Sequence, residues 1–264
     1  MILSHRVALN GVELDSLDNR ILIQRVETTA GKEQISAVSL WGGCGQRVTG
    51  RHRDTLDVNV TFSLRIKNGD MDGRSKLLED VCAWAAGGGW LTVNYKTGRR
   101  IRVMCAQLPA EGDLWDWTAR FTIVFRAYAV PYWQETEQTT VVKTNVSSST
   151  FTYTAAGSAE TVMDVEFENT SGSSCSTFTI TAGESTIDLE SIDLAAGEKL
   201  QITHDGDGRL SILIDNDGVK RSVMDKRSDD SSDDLYINHG AVSVSMTAQR
   251  AGKLTVGCYG RFAG

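Results

Sequence analysis

Residues 51–66, RHRDTLDVNVTFSLRI, decide the fold. Leu56, Val58, Val60, Phe62, Leu64 and Ile66 alternate with Asp57, Asn59, Thr61, Ser63 and Arg65. A strict period of two over that length predicts a β-strand with one buried and one wet face. Before it stand Arg51, His52 and Arg53, and the cluster raises the question of what a long strand does with cations at its start. A nucleic-acid patch, a catalytic clamp and the root of an arm that docks onto another subunit are the candidate answers.

Working outward, the first half of the chain reads as further strands. Residues 20–27 (RILIQRVE) and 34–41 (QISAVSLW) are β-rich, and WGGCGQRVTG separates the second from the alternating strand. WLTVNY at 90–95 and RRIRVMCAQ at 99–107 flank Lys-Thr-Gly, a hairpin connection in which Gly98 can take a positive φ. From Trp115 to Tyr128 the aromatic residues alternate again. One helix interrupts the strands. Asp72 is its expected N-cap, and Leu77, Leu78, Val81, Cys82 and Ala85 form an apolar stripe. Gly87, Gly88 and Gly89 stop it. The first half is therefore expected to be a β-sandwich or partial barrel with one helix.

Composition changes near residue 133. Residues 1–133 hold all six tryptophans and both prolines, with 17 Lys+Arg against 14 Asp+Glu, a net of +3. Residues 134–264 carry 10 against 20, a net of −10, which together give the chain's −7. Such a break predicts two domains, 1–133 and 134–264, joined between Val130 and Glu137. The second half offers VVKTNV, FTYTA, MDVEFE, STFTITA, KLQITH, RLSILID, VKRSV, VSVSMTA and KLTVGCYG as short strands. Asp-Gly turns separate several of them, and the whole suggests an antiparallel sandwich of jelly-roll or lectin type. The last segment, KLTVGCYGRFAG, is expected to complete that second sandwich rather than return to the first.

Chemistry is sparse. His5, His52, His204 and His239 lie far apart, and no G-x-S-x-G, H-E-x-x-H or Walker motif occurs, so no enzyme is expected. The five cysteines, Cys44, Cys82, Cys105, Cys175 and Cys258, lack CxxC spacing, which predicts free thiols, a reducing compartment and no zinc site. No metal or cofactor is implied. DKRSDDSSDD at 225–234 resembles calcium ligand loops but lacks EF-hand spacing, and the expectation is a flexible, solvated loop. The N-terminus has no signal-peptide pattern, and no apolar run is long enough for a membrane span. Nucleic-acid binding through Arg47, Arg51, His52 and Arg53 is disfavoured by the small net charge of that half. Sugar binding by the second half lacks a tryptophan on which a pyranose could stack. What is left is assembly. The basic segment from Trp41 through Arg47 to Arg51, His52 and Arg53 is expected to form a projecting hairpin that contacts a neighbouring subunit, an ordinary solvent loop being the alternative.

Several of these features occur in one order: RHRDTLDVNVTFSLRI, then NGDMDGRSKLLEDVCAWAAGGGW, then WLTVNYKTGRRIRVMCAQL, then the AYAVPYW junction. In that order residues 1 to about 135 resemble the N-terminal domain of distal tail proteins (Dit) of phages with long non-contractile tails. The resemblance implies a mainly β chain, a tail-tube-like β-sandwich with one helix and a hairpin arm, followed by a galectin-like sandwich. It implies a structural role in the virion, at the distal end of a phage tail assembled in the host cytoplasm. The implied assembly is a homohexamer, a ring between tail tube and tape-measure protein on one side and the tail-associated hub protein on the other. Receptor-binding or other baseplate proteins would attach to it. DNA would pass through the lumen without specific binding, and no membrane is involved. The second half carries no galectin sugar motif. The alternative function is a carbohydrate-binding adhesin that contacts the host cell wall.

Overall fold

The structure is a computed structural model of the 264-residue chain that describes residues 5–29, 31, 33–39, 46–66, 70–110 and 120–263. It divides into two compact units, Met1–Trp133 with Ala263–Gly264, and Gln134–Phe262. Among the described residues no helix is long and apolar enough to cross a membrane.

The first unit contains β1 (Val7–Leu9), β2 (Val12–Glu13), α1 (Leu14–Leu17), β3 (Ile21–Thr29), β4 (Glu33–Ser39), β5 (Gln46–Arg53) and β6 (Leu56–Leu64). After these come α2 (Met71–Ala86), β7 (Gly89–Val93), β8 (Arg99–Gln107) and β9 (Phe121–Ala127). The main sheet runs β2-β1-β7-β8-β9-β6-β3, with every pair antiparallel. The alternation of the opening stretch is realised in β6: Leu56, Val58, Val60 and Phe62 are fully buried, and the residues between them are half-exposed. Burial of each such side chain contributes about 1.5–3 kcal/mol. Phe62 sits opposite Phe121 of β9, with ring centroids 5.6 Å apart.

Helix α2 covers the apolar face. Trp84 meets Phe125 edge-on at 5.8 Å, and its indole N–H donates to the Val12 carbonyl at 3.0 Å. The cap is Asp70 rather than the expected Asp72. Its carboxylate accepts the Gly73 N–H at 3.0 Å, and Asp72 lies within the first turn, where its charge still suits the helix dipole. The glycine stop is built as expected, with Gly88 at φ +58° and Gly89 at φ +137°. Asn10 clamps that turn: it accepts the Trp90 N–H at 2.9 Å and donates to the Gly88 carbonyl at 3.0 Å. The Lys-Thr-Gly hairpin also forms, with Gly98 at φ +71°. The expected aromatic alternation beginning at Trp115 lies partly outside the described residues; from Phe121 to Ala127 it is the strand β9.

After the short β10 (Trp133–Glu135) the second unit contains β11 (Thr139–Ala155), β12 (Thr161–Val162), β13 (Asp164–Glu168), β14 (Cys175–Ala182), β15 (Ser185–Leu194) and β16 (Lys199–His204). β17 (Leu210–Asn216), β18 (Val219–Ser222), β19 (Tyr236–Ile237), β20 (Gly240–Cys258) and β21 (Arg261–Phe262) complete it. β20 is the organising strand. One edge pairs along its length with β11; on the other, its first half pairs with β14 and its second with β13. The strand bends at Gly252, where a Cβ would lie 2.4 Å from the Glu168 carbonyl oxygen and from the Phe167 ring. β11 yields at the same level through register irregularities between Lys143 and Ser148, with Asn145 at φ +56°. β20 thus links β15-β14 on one part of its edge to β13-β16-β17-β18 on the other in a single eight-stranded sheet, and its core joins Phe167 and Phe178 at 5.1 Å.

Four expected short strands are thus two long ones, because each pair continues through its bend. β15 was not among the expected strands, and its sequence STIDLESIDL shows why: the inward set shifts at Ser191, which takes φ +55°. Only KLTVGC of the last segment belongs to β20. Contrary to the expectation that the whole segment completes the second sandwich, Arg261–Phe262 form β21 against β10, outside the eight-stranded sheet, and the Glu135 N–H donates to the Gly260 carbonyl at 3.0 Å.

The DKRSDDSSDD segment is not the flexible loop expected of it. Its backbone and serines satisfy the outer edge of β15. Ser228 N–H donates to the Asp188 carbonyl at 2.9 Å, Ser231 Oγ accepts the Asp188 N–H at 2.9 Å, and Ser232 N–H donates to the Thr186 carbonyl at 2.7 Å. Asp229, Asp230 and Asp233 stay at the surface and Asp234 turns inward, while the serines close an edge that could otherwise pair with another chain.

Candidate assembly surface

Strands β4 and β5 form a two-stranded sheet of their own, apart from the main one. QRVTG, expected within the connection WGGCGQRVTG, and Arg51–Arg53, expected to lead into the long strand at the root of a projecting hairpin, together form one strand of a ribbon. Arg47 pairs with Val38, Arg51 with Ile35, His52 with Gln34 and Arg53 with Glu33. The arginines thus precede the long strand rather than begin it: Asp54 and Thr55 intervene before β6. The root is narrow. A Cβ on Gly31 would lie 2.4 Å from the carbonyl oxygens of both Asp54 and Thr55, so only glycine lets the outgoing chain pass the returning one. Gln34 Nε2 donates to Asp54 Oδ2 at 3.0 Å across the same root. Of the expected contact residues, the structure brings Arg47, Arg51, His52 and Arg53 onto this one strand, while Trp41 lies outside the described residues.

The densest polar cluster is one that sequence reading missed. His204, at the end of β16, is buried between two carboxylates. Its Nδ1 lies 2.8 Å from Asp164 of β13, and its Nε2 lies 2.5 Å from Asp234, just before β19. Burial works against a charged imidazole, but hydrogen bonds and charge from Asp164 and Asp234 outweigh it and raise the pKa to about 9. Asp164 also accepts the His204 N–H at 3.0 Å and Gln138 Nε2 at 2.8 Å; Asp234 accepts the Leu235 N–H at 2.7 Å. Both ring nitrogens are engaged by carboxylates. The imidazolium can therefore bridge strands, but it has no nitrogen free to take a proton from a substrate. No linear signal could have found it, because 30 and 40 residues separate the partners.

Other groups are similarly committed to packing. Tyr153 is 1% exposed; its hydroxyl donates to the Thr139 carbonyl at 2.5 Å and accepts the Cys258 N–H at 3.0 Å, and burial raises its pKa. Cys82, Cys105, Cys175 and Cys258 are free thiols, and Cys44 lies outside the described residues. Among the described residues no group of three His, Cys, Asp or Glu side chains could hold a metal ion. Of the second unit's aromatic residues, Phe167 and Phe178 are buried. Tyr236, at 44% exposure, stands beside a recess of about 350 Å³ that Glu160, Glu184 and Asn238 also line.

No protein-family model matches the chain, and no curated protein matches it in sequence. Solved structures do. The Dit protein of phage SPP1, described as a paradigm of the hub adsorption apparatus in phages that infect Gram-positive bacteria, superposes with a TM-score of 0.72 at 12% identity, over 98% of this chain and 99% of that one. A chain of the phage P2 baseplate in its activated, calcium-bound conformation gives 0.53 at 8% identity, over 98% of both. The strontium form of the same baseplate gives 0.53 over 97% of both. At these identities the likeness speaks for fold, and it spans both units. The chain has the mainly β fold of phage Dit and baseplate proteins.

Proposed function

We propose that this chain is a structural protein of a phage tail tip. In this reading six copies form a ring that joins the tail tube to the tail-tip hub and the receptor-binding apparatus. The observation that carries it is a likeness to SPP1 Dit over 98% of this chain and 99% of that one. The β4–β5 ribbon supports the same reading, since an arginine-bearing hairpin outside the main sheet can reach a neighbour. Its partners are further copies of itself, then tail tube, tape-measure, hub and receptor-binding or other baseplate proteins, in the virion. DNA crosses the lumen without a specific site, and the role is not enzymatic.

Light scattering after size exclusion tests the ring. A mass near six times 28.8 kDa is expected. A stable two- or three-copy particle that tail tube and hub proteins leave unchanged would overturn the ring.

A further inference from the structure

The recess beside Tyr236 in the second unit collects groups that neither the core nor the ribbon uses. Four segments build it: Glu160 before β12, the β14–β15 hairpin around Glu184, β19 with Asn238, and the start of β20. Its walls are pinned to one another. Thr161 pairs with Ile237 and Val162 with Tyr236, and the Gly183 N–H donates to the Ser243 carbonyl at 3.0 Å. The Met163 N–H donates to the Leu235 carbonyl at 3.0 Å. Tyr236 therefore stands on a paired strand while its side chain stays largely exposed. Burial first, and then the Asp234 charge, raise the pKa of its phenol, so the hydroxyl end lies near the carboxylate that His204 holds. A ring fixed in this way is an aromatic platform set before any ligand arrives, which lowers the ordering cost of binding.

The lining divides into two chemistries. Tyr236, Ile237 and Val242 are apolar, and the latter two are buried. Glu160, Glu184 and Asn238 are exposed and form no ion pair among the described residues. Carboxylates only accept hydrogen bonds, whereas the amide both donates and accepts. A small molecule that matches both halves carries an apolar C–H face and adjacent hydroxyls, which is the surface of a pyranose. A bare cation matches less well, because the buried Arg261 also acts on the Tyr236 phenol and opposes the carboxylates there. The volume, about 350 Å³, falls at the small end of the roughly 300–1,000 Å³ typical of ligand pockets and suits a monosaccharide or disaccharide. We propose that this recess binds a neutral saccharide, with the Tyr236 ring against the sugar's C–H face and Glu160, Glu184 and Asn238 on its hydroxyls. Tyrosine here supplies the aromatic face for which the second half has no tryptophan. The site is separate from the ribbon and does not depend on how many copies assemble.

The test is saturation-transfer NMR with calorimetry on the full-length chain. The probes are methyl β-glucopyranoside, N-acetylglucosamine and rhamnose at up to about 50 mM, with choline as the cationic comparison. Circular dichroism and Tm establish that Y236A, Y236F and E160Q/E184Q are folded. The expected result is saturable binding of at least one of the three sugars, at least about tenfold weaker in Y236A and retained in Y236F. E160Q/E184Q is expected to bind that sugar at least about fivefold more weakly than the wild type. Binding about tenfold tighter to a bacterial wall polysaccharide than to the free sugars makes the source a cell surface. Equal binding makes it a free sugar, and either outcome upholds the site. Absence of binding by all three sugars overturns the proposal. So does sugar binding that Y236A and E160Q/E184Q both leave unchanged, and so does binding of choline alone. None of these outcomes alters the assembled mass, which tests the ring separately.

Discussion

His204 shows how a residue invisible in the sequence can govern stability. Its imidazole titrates near 6.5 when unfolded and near 9 when held by Asp164 and Asp234, so the folded state binds the proton more tightly. The stabilisation is fully present below about pH 6.5 and is lost as the pH rises through about 9. Its ceiling is about 3 kcal/mol, since each pKa unit is worth about 1.4 kcal/mol. The expected outcome is a wild-type Tm that falls steeply between neutral pH and pH 10. H204Q should have a lower Tm at neutral pH and lack most of that slope. An identical slope in H204Q would place the titrating group elsewhere. Gly89 is a second residue whose role is geometric. With φ at +137° and a Cβ that would sit 2.0 Å from Asn10 Oδ1, Gly89→Ala should cost about 3 kcal/mol through backbone strain and loss of the Asn10 clamp. Chemical denaturation measures it; Gly87→Ala, with open space around its Cβ, is the control.

Elements were legible to the degree that their signals were local. The alternation of β6, the stripe of α2 and the Gly98 hairpin all depend on residues a few positions apart. The cap moved from Asp72 to Asp70 because two aspartates compete there, and the tertiary path of the chain chooses which carboxylate meets an open N–H. β5 was illegible because QRVTGRHR carries no alternation; pairing with β4 makes it a strand. The acid-rich loop misled for the opposite reason. Its carboxylates advertise solvent, while Ser228, Ser231 and Ser232 do the structural work at β15. Replacing Ser231 and Ser232 with Ala should remove about 1 kcal/mol per hydrogen bond. Amide exchange at Thr186 and Asp188 should accelerate at least about fivefold, while Ile180 in the neighbouring β14 stays protected. Unchanged protection at both amides would show that backbone bonds alone hold the loop.

At the scale of the whole molecule, the proposed ring makes function a matter of how copies meet. The arginine ribbon is the surface on which the proposed ring can be tested by substitution. Arg51→Ala with Arg53→Ala is expected to lower the assembled mass without lowering the Tm of the subunit, because the ribbon stands outside the main sheet. Retention of the full mass would remove the ribbon arginines from the contact.

The sequence by itself determined that the chain is mainly β, where its helix falls and where its charge reverses, and its ordered motifs already resembled distal tail proteins. Each of those is written in residues that are neighbours along the chain or in the composition of long segments. Only the tertiary structure decided that β20 pairs with β14 before Gly252 and with β13 after it, that serines cover the edge of β15, and that His204 sits between Asp164 and Asp234. Those outcomes join residues tens of positions apart. Strand pairing and burial act on what the fold brings into contact, and period-two patterning says which face a residue takes but not which strand lies beside it.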